Sequence, residues 1–274
     1  MWTLSGFADE ISADLSEQLA TLQSENMKYL ELRAVWGKGV LKLSDEEIGQ
    51  VKAALKAAGV GVSAIGSPIG KINITDDFTP HLANFKRALW CAQKLEAPYI
   101  RLFSFFVPVG EAATYRAEVM RRMQALVEAA AGSGVTLLHE NEKNIYGDIP
   151  ARCLDIVETV ASPQLKLVWD PANFVQCGVR PFTEGYEALR PHIAYVHVKD
   201  ALLDGGKVTP AGQGDGEWPA TIAALRDSGF DGFFSMEPHL QEAERFYGFS
   251  GPALFRQATQ TFKGLLTAAK VDWC

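Results

Sequence analysis

A short β-prone run followed by a segment of helical periodicity recurs from one end of the chain to the other, and no other feature constrains the fold so tightly. The runs are Trp2 to Phe7, Tyr29 to Arg33, Val60 to Ile65, Tyr99 to Phe103, Val135 to His139, Leu165 to Trp169, Ile193 to Val198 and Gly232 to Met236. Between them the spacing is helical. Leu15, Leu19 and Leu22 share one face of a helix predicted over Ser12 to Ser24. A second helix opens at Ser44 with a capping-box pattern to Glu47 and stops at Gly59. Further helices are predicted over Pro80 to Leu95, Tyr115 to Ala131, Pro150 to Val160, Thr183 to Leu189, Trp218 to Ser228 and Pro252 to Ala269. Successive strand starts lie roughly 30 residues apart, the length of one strand–helix–strand step, and a crossover helix makes neighbouring strands parallel. Eight such steps with no Pro/Gly/Ser-rich linker predict a single-domain α/β fold over residues 1–274, the (β/α)8 TIM barrel. An open doubly wound sheet is the rival, but no GxGxxG follows the first strand.

Composition narrows the partners. A formal charge of -7 opposes binding along a phosphate backbone, so nucleic acid is not an expected partner. The four cysteines, Cys91, Cys153, Cys177 and Cys274, are scattered with no CxxC pair, as suits free thiols in a reducing cytoplasm. No stretch approaches the roughly 18 apolar residues of a membrane span.

Barrel chemistry sits at the C-terminal ends of the strands, so those ends carry the functional information. The first run ends in Asp9 and Glu10, the second in Glu31 and Arg33; the third leads to Lys71 and the fourth carries Arg101. The fifth ends at Glu140, the sixth at Asp170, the seventh at His197 and Lys199, and the eighth at Glu237. Side chains alternate along a strand, so Glu140 shares its face with Leu138 and Glu142 while His139 points to the outer layer. His197 and Lys199 likewise share a face, and Asp200 takes the other. Any one of these residues could be a helix cap or an ion-pair partner. Glu140, Asp170, His197 and Glu237 together, at matching places on four consecutive strands, predict a mixed oxygen and nitrogen cage for one divalent ion: manganese, magnesium, cobalt or zinc. A cation there also relieves the repulsion among three crowded carboxylates. No organic cofactor is called for. The substrate contacts expected around the cage are Lys199, Arg101, Glu142, Lys71 and Glu10. The glycine-rich "AGQGDGEW" does not have phosphate-loop spacing and is expected to be a flexible loop over the mouth.

The order Glu140, Asp170, His197, Glu237, with the phrases "GFADEIS", "SPIGKI", "HENEK", "DPANF", "HVKDA" and "EPHL", resembles the xylose isomerase-like TIM barrels. That superfamily includes ketose 3-epimerases, hydroxypyruvate isomerase, inosose dehydratase and endonuclease IV. The resemblance implies that the four residues hold one metal and that Glu140 and Glu237 form the acid/base pair of an epimerase. It also implies a homodimer or homotetramer. Two departures stand out: Asn173 occupies the place of a substrate-contacting histidine, and Leu203 that of an arginine, whose role falls in part to Lys199. The endonuclease branch needs more histidines than the five here, His81, His139, His192, His197 and His239.

A divalent ion chelating a carbonyl and its neighbouring hydroxyl acidifies the adjacent C–H, and a carboxylate removes that proton. The expected function is therefore metal-dependent isomerisation or epimerisation of a small sugar, sugar phosphate or related polyhydroxy carbonyl compound. A dehydratase of the inosose or dehydroshikimate kind uses nearly the same residues, and a non-catalytic sugar-binding barrel is the third reading.

Overall fold

The computed structural model describes residues 1–240 and 250–274. At its centre eight parallel strands form a barrel: β1 (Thr3–Gly6), β2 (Tyr29–Leu32), β3 (Gly61–Gly66), β4 (Tyr99–Leu102), β5 (Thr136–Glu140), β6 (Leu165–Trp169), β7 (Ile193–Val198) and β8 (Phe233–Met236). Strands adjacent in sequence pair with one another from β2 through to β8, and β8 pairs with β1. A parallel bridge between Phe7 and Glu31 joins β1 to β2 and brings the ring round. The eight-step pattern of the sequence is thus a (β/α)8 TIM barrel.

The outer layer consists of α1 (Leu15–Ser24), α2 (Asp45–Ala58), α3 (Phe78–Leu95), α4 (Ala112–Ala130), α5 (Pro150–Val160), α6 (Pro171–Gln176), α7 (Trp218–Asp227) and α8 (Gly251–Ala268). Local chemistry sets their ends. α1 starts later than the periodicity suggests because the Asp14 carboxylate caps the Glu17 amide. The Ser44 to Glu47 capping box of α2 is formed, and Gly59 ends that helix in the left-handed region. The short helix α6 does not register in the apolar periodicity; Asp170 caps it and Pro171 occupies its first position. The helix expected over Thr183 to Leu189 is instead a π turn at Phe182–Tyr186 leading into one α turn. There the Glu217 carboxylate takes the Thr183 N–H and hydroxyl, and Gly185 abuts the Pro150 ring.

The main apolar core fills the space between barrel and helices. Inside the barrel lies a smaller cluster of Ala64, Leu138, Val168 and Tyr195. The Tyr195 hydroxyl is 2.8 Å from Ser63 Oγ, which is 2.6 Å from Ser5 Oγ, so these three polar atoms of the floor satisfy one another. No described helix is long and apolar enough to cross a membrane.

Candidate active site

Two residues above that floor, on the same faces of the same strands or just past their ends, come Glu140, Asp170 and His197, and Glu237 stands two above Ser235. All four are buried, with one ligand atom of each lying within 4.8 Å of those of the others. His197 Nδ1 is 3.2 Å from Glu140 Oε1, 3.7 Å from Asp170 Oδ2 and 3.6 Å from Glu237 Oε2. The other ring nitrogen, Nε2, hydrogen-bonds to Glu31 Oε2 at 3.2 Å. That bond fixes the ring and turns Nδ1 toward the carboxylates, as a metal-ligating imidazole requires. Buried Nδ1 makes no hydrogen bond, and Asp170 Oδ2 and Glu140 Oε2 have only ion-pair neighbours, Lys199 and Arg101. Three carboxylates and one oriented imidazole whose Nδ1 makes no hydrogen bond, converging on one point, fit a hard divalent ion, with no thiolate in the group.

Cations surround the cage. Lys199 Nζ lies 3.0 Å from both Asp170 Oδ2 and Glu237 Oε2, and Arg101 reaches Glu140 Oε2 at 3.2 Å. Arg33 binds Asp9 at 2.7 Å, Glu10 at 2.7 Å and Glu237 at 3.1 Å. The Arg33 and Arg101 guanidinium groups sit 4.6 and 5.3 Å from the centre of the Phe7 ring, whose edge meets His197. Gly66 makes this crowding feasible, since a Cβ there would lie 2.8 Å from the Phe7 ring and 3.4 Å from the Arg101 guanidinium.

These charges set the protonation states. Burial works to raise the Glu140 carboxyl, yet His197 and Arg101 outweigh it and bring it down to about 2. Burial is likewise outweighed at Glu237 by Lys199, His239, His197 and Arg33, which hold it well below the carboxylate range. Desolvation alone would lower His197 and Lys199, but the carboxylates around them raise both. At Asp9 burial dominates, and the carboxyl is pushed up to about 6 even beside Arg33.

A cavity of about 670 Å³ opens above the cage. Glu140, Glu237, Lys199, Arg101, Asn173, Glu142 and Lys71 line it together. Asn173 donates to Glu140 Oε1 at 3.0 Å and to the Asn141 carbonyl at 2.9 Å. Lys71 and Glu142 pair with each other at 2.7 Å. Glu10 does not join them: it is fully buried behind Arg33, accepting also from the Ser250 hydroxyl. Three residues outside the expected set belong to the site. Arg33 and Glu31 stand at the end of the second run, with Arg33 two residues beyond Glu31 on the same strand parity, the signal that picked out Glu140. Asn141 clasps the next strand end, exchanging hydrogen bonds with the Asp170 backbone through its amide. His139 points to the outer layer, where a Cβ on Gly147 would touch its ring. The "AGQGDGEW" segment is not loose: buried Asp200 accepts the amides of Gly212, Gly214 and Gly216 at 2.8–3.0 Å.

The chain is similar to known proteins in sequence and in fold. A 2-epi-5-epi-valiolone 7-phosphate 2-epimerase of Actinoplanes sp. is 32% identical over 197 residues, 70% of each chain. Among solved structures, a D-tagatose 3-epimerase-like protein superposes with a TM-score of 0.78 at 17% identity, over 98% of both chains. A xylose isomerase-like TIM barrel protein from Mycobacterium smegmatis, solved in complex with magnesium, superposes with a TM-score of 0.71 at 17% identity, again over 98% of both. The family model of the xylose isomerase-like TIM barrel matches residues 19–263, and the chain belongs to that family.

Proposed function

We propose that the protein is a divalent-metal-dependent epimerase or isomerase of a small sugar, sugar phosphate or related polyhydroxy carbonyl compound. The observation that carries this reading is the convergence of Glu140, Asp170, His197 and Glu237 at the bottom of a solvent-connected cavity. A divalent ion bound by these four would supply positive charge where negative charge develops on a substrate oxygen as the neighbouring carbon loses its proton. The chain's own groups supply the proton chemistry. Glu140, ionised and oriented by Asn173, removes the proton on one face of the carbon. Glu237, held by Arg33 through Oε1, stands on the other side of the site, where the Lys199 ammonium 3.0 Å from its Oε2 supplies through it the proton that returns to the opposite face and is itself re-protonated from solvent. Arg101 and Lys199 line the cavity beside these carboxylates and hydrogen-bond the substrate's hydroxyls. The Actinoplanes relative, an epimerase by name, supports the reaction class, and the magnesium complex of the Mycobacterium neighbour supports the ion.

The test is proton exchange. Manganese-loaded protein, incubated in D₂O with a panel of ketoses, inososes and their phosphate esters, is expected to place solvent deuterium beside the carbonyl of recovered substrate and of its isomer or epimer. Glu140→Gln is expected to slow that exchange by about 10²- to 10⁴-fold, the usual contribution of a general base. Absence of deuterium from every panel member, or a growing enone absorbance in its place, would sink the reading.

A further inference from the structure

We propose that the outer end of the cavity is a phosphate subsite built from Lys42, Lys71 and Lys143, so that the substrate carries a phosphate ester remote from its reacting carbon. The epimerase reading is needed only for what happens at the inner end. The chain is acidic overall, with a formal charge of -7, yet three lysines from three separate loops line this one cavity. Lys42 closes a turn after β2, Lys71 follows β3 and Lys143 follows β5.

The two ends of the cavity differ in charge balance. At the inner end every cation already faces carboxylates within 3.2 Å: Arg33 with Glu237, Arg101 with Glu140, Lys199 with Asp170 and Glu237. At the rim Lys42 and Lys143 are exposed and make no hydrogen bond or ion pair among the described residues. Among the described residues that line the rim, Glu142 is the one carboxylate, and it pairs with Lys71. Three ammonium groups against one carboxylate leave two positive charges, matching the roughly two negative charges of a phosphate monoester at neutral pH.

Lys71 is also built into place rather than left on a free loop. Its ammonium lies 2.7 Å from Glu142 Oε2 and 4.2 Å from the centre of the Phe103 ring. The preceding residue, Gly70, has φ +91°, and a Cβ there would fall 2.0 Å from the Phe103 carbonyl oxygen. The Gly70 amide donates to His81 Nε2 at 2.7 Å, tying the loop to α3. A neutral sugar needs none of this positive charge, whereas a terminal phosphate placed at the rim would direct the carbonyl end down to the cage.

The matched pairs D-fructose and D-fructose 6-phosphate, and D-ribulose and D-ribulose 5-phosphate, test the proposal in the D₂O exchange assay. The phosphorylated member is expected to exchange with a kcat/KM about tenfold or more above its free partner, the effect of one good charge-assisted contact. In the Lys42→Met/Lys143→Met double variant that ratio collapses through KM, while Lys52→Met, on the outer face of α2, leaves it in place. A ratio near one in the wild-type protein, or one that survives the double substitution, overturns the subsite. Calorimetric titration with inorganic phosphate and with D-fructose 6-phosphate at low ionic strength gives a readout independent of turnover. Lysine-dependent binding without exchange in any pair supports the subsite and rejects the epimerase reading alone. Binding that is absent, or that the double variant retains, rejects the subsite whatever the exchange assay gives.

Discussion

His197 Nε2 lies 3.2 Å from Glu31 Oε2, with both side chains buried and the two residues 166 positions apart in the chain. This contact spans the barrel's interior and decides which imidazole nitrogen faces Glu140, Asp170 and Glu237. Glu31→Gln keeps an acceptor of the same shape and removes its charge. Loss of such a partner typically weakens metal binding by about 10- to 100-fold. The expected result is a drop of that size in manganese affinity by titration calorimetry, with an unchanged far-ultraviolet circular dichroism spectrum; unaltered affinity would separate Glu31 from the metal.

The same contact shows what the sequence leaves hidden. Period-two alternation sorted Glu140 from His139 and His197 from Asp200, because it is a property of one strand and is written in neighbouring letters. Eight repeats likewise sufficed for a barrel, since each step is local. The pairings of His197 with Glu31 and of Glu237 with Arg33 join residues 166 and 204 positions apart and exist only once the ring has closed. The binding role expected of Glu10 met the same limit: nothing local tells that Arg33 and Ser250 enclose it. The glycines of "AGQGDGEW" suggested mobility because glycine permits it, whereas here their amides answer one buried carboxylate.

Gly66 sits where a methyl group has no room. Its added Cβ would lie 2.8 Å from a fully buried Phe7 ring atom and 3.1 Å from Arg33 Cβ, neither of which is the free end of a flexible chain. Gly66→Ala is therefore expected to destabilise the fold by about 1–3 kcal/mol, as overpacking usually does. Urea unfolding followed by tryptophan fluorescence measures it, and a midpoint equal to wild type would show that Phe7 and the two arginines shift without cost.

His81 gives the protein a defined sensitivity to mild acid. Burial, reinforced by the nearby charge of Arg122, lowers its pKa below the ordinary 6.5, and its neutral Nε2 accepts the Gly70 amide. A histidine whose folded pKa is depressed contributes stability that is complete above the unfolded value and is lost as pH falls below it. Relative to His81→Leu, wild-type stability should therefore be level above about pH 6.5 and decline on acidification, by at most about 1.4 kcal/mol per pH unit for one proton. Urea midpoints of the two proteins between pH 7.5 and 5 provide the comparison. Parallel curves would mean that protonated His81 keeps its place.

Asp200 organises the segment that follows β7. Its two oxygens take the amides of Ala201, Gly212, Gly214 and Gly216 at 2.8–3.0 Å while the side chain itself is fully buried. The glycines are matched to it: a Cβ on Gly214 or Gly216 would stand 2.6 Å from Asp200 Oδ1. Hydrogen bonds to a charged acceptor contribute about 1.5–3 kcal/mol each, though several on one carboxylate do not add fully. Asp200→Ala leaves those amides, of which Ala201 and Gly216 are buried, without their acceptor, so the segment should loosen before the barrel does. Hydrogen exchange with mass spectrometry is expected to show faster exchange across residues 202–217 and unchanged protection in the barrel strands β2 to β5. Val208, in the same segment, lines the cavity, so the loosening should also raise KM in the exchange assay more than it lowers kcat. Protection at Gly212 to Gly216 equal to wild type would mean that the glycine loop holds its shape without the carboxylate.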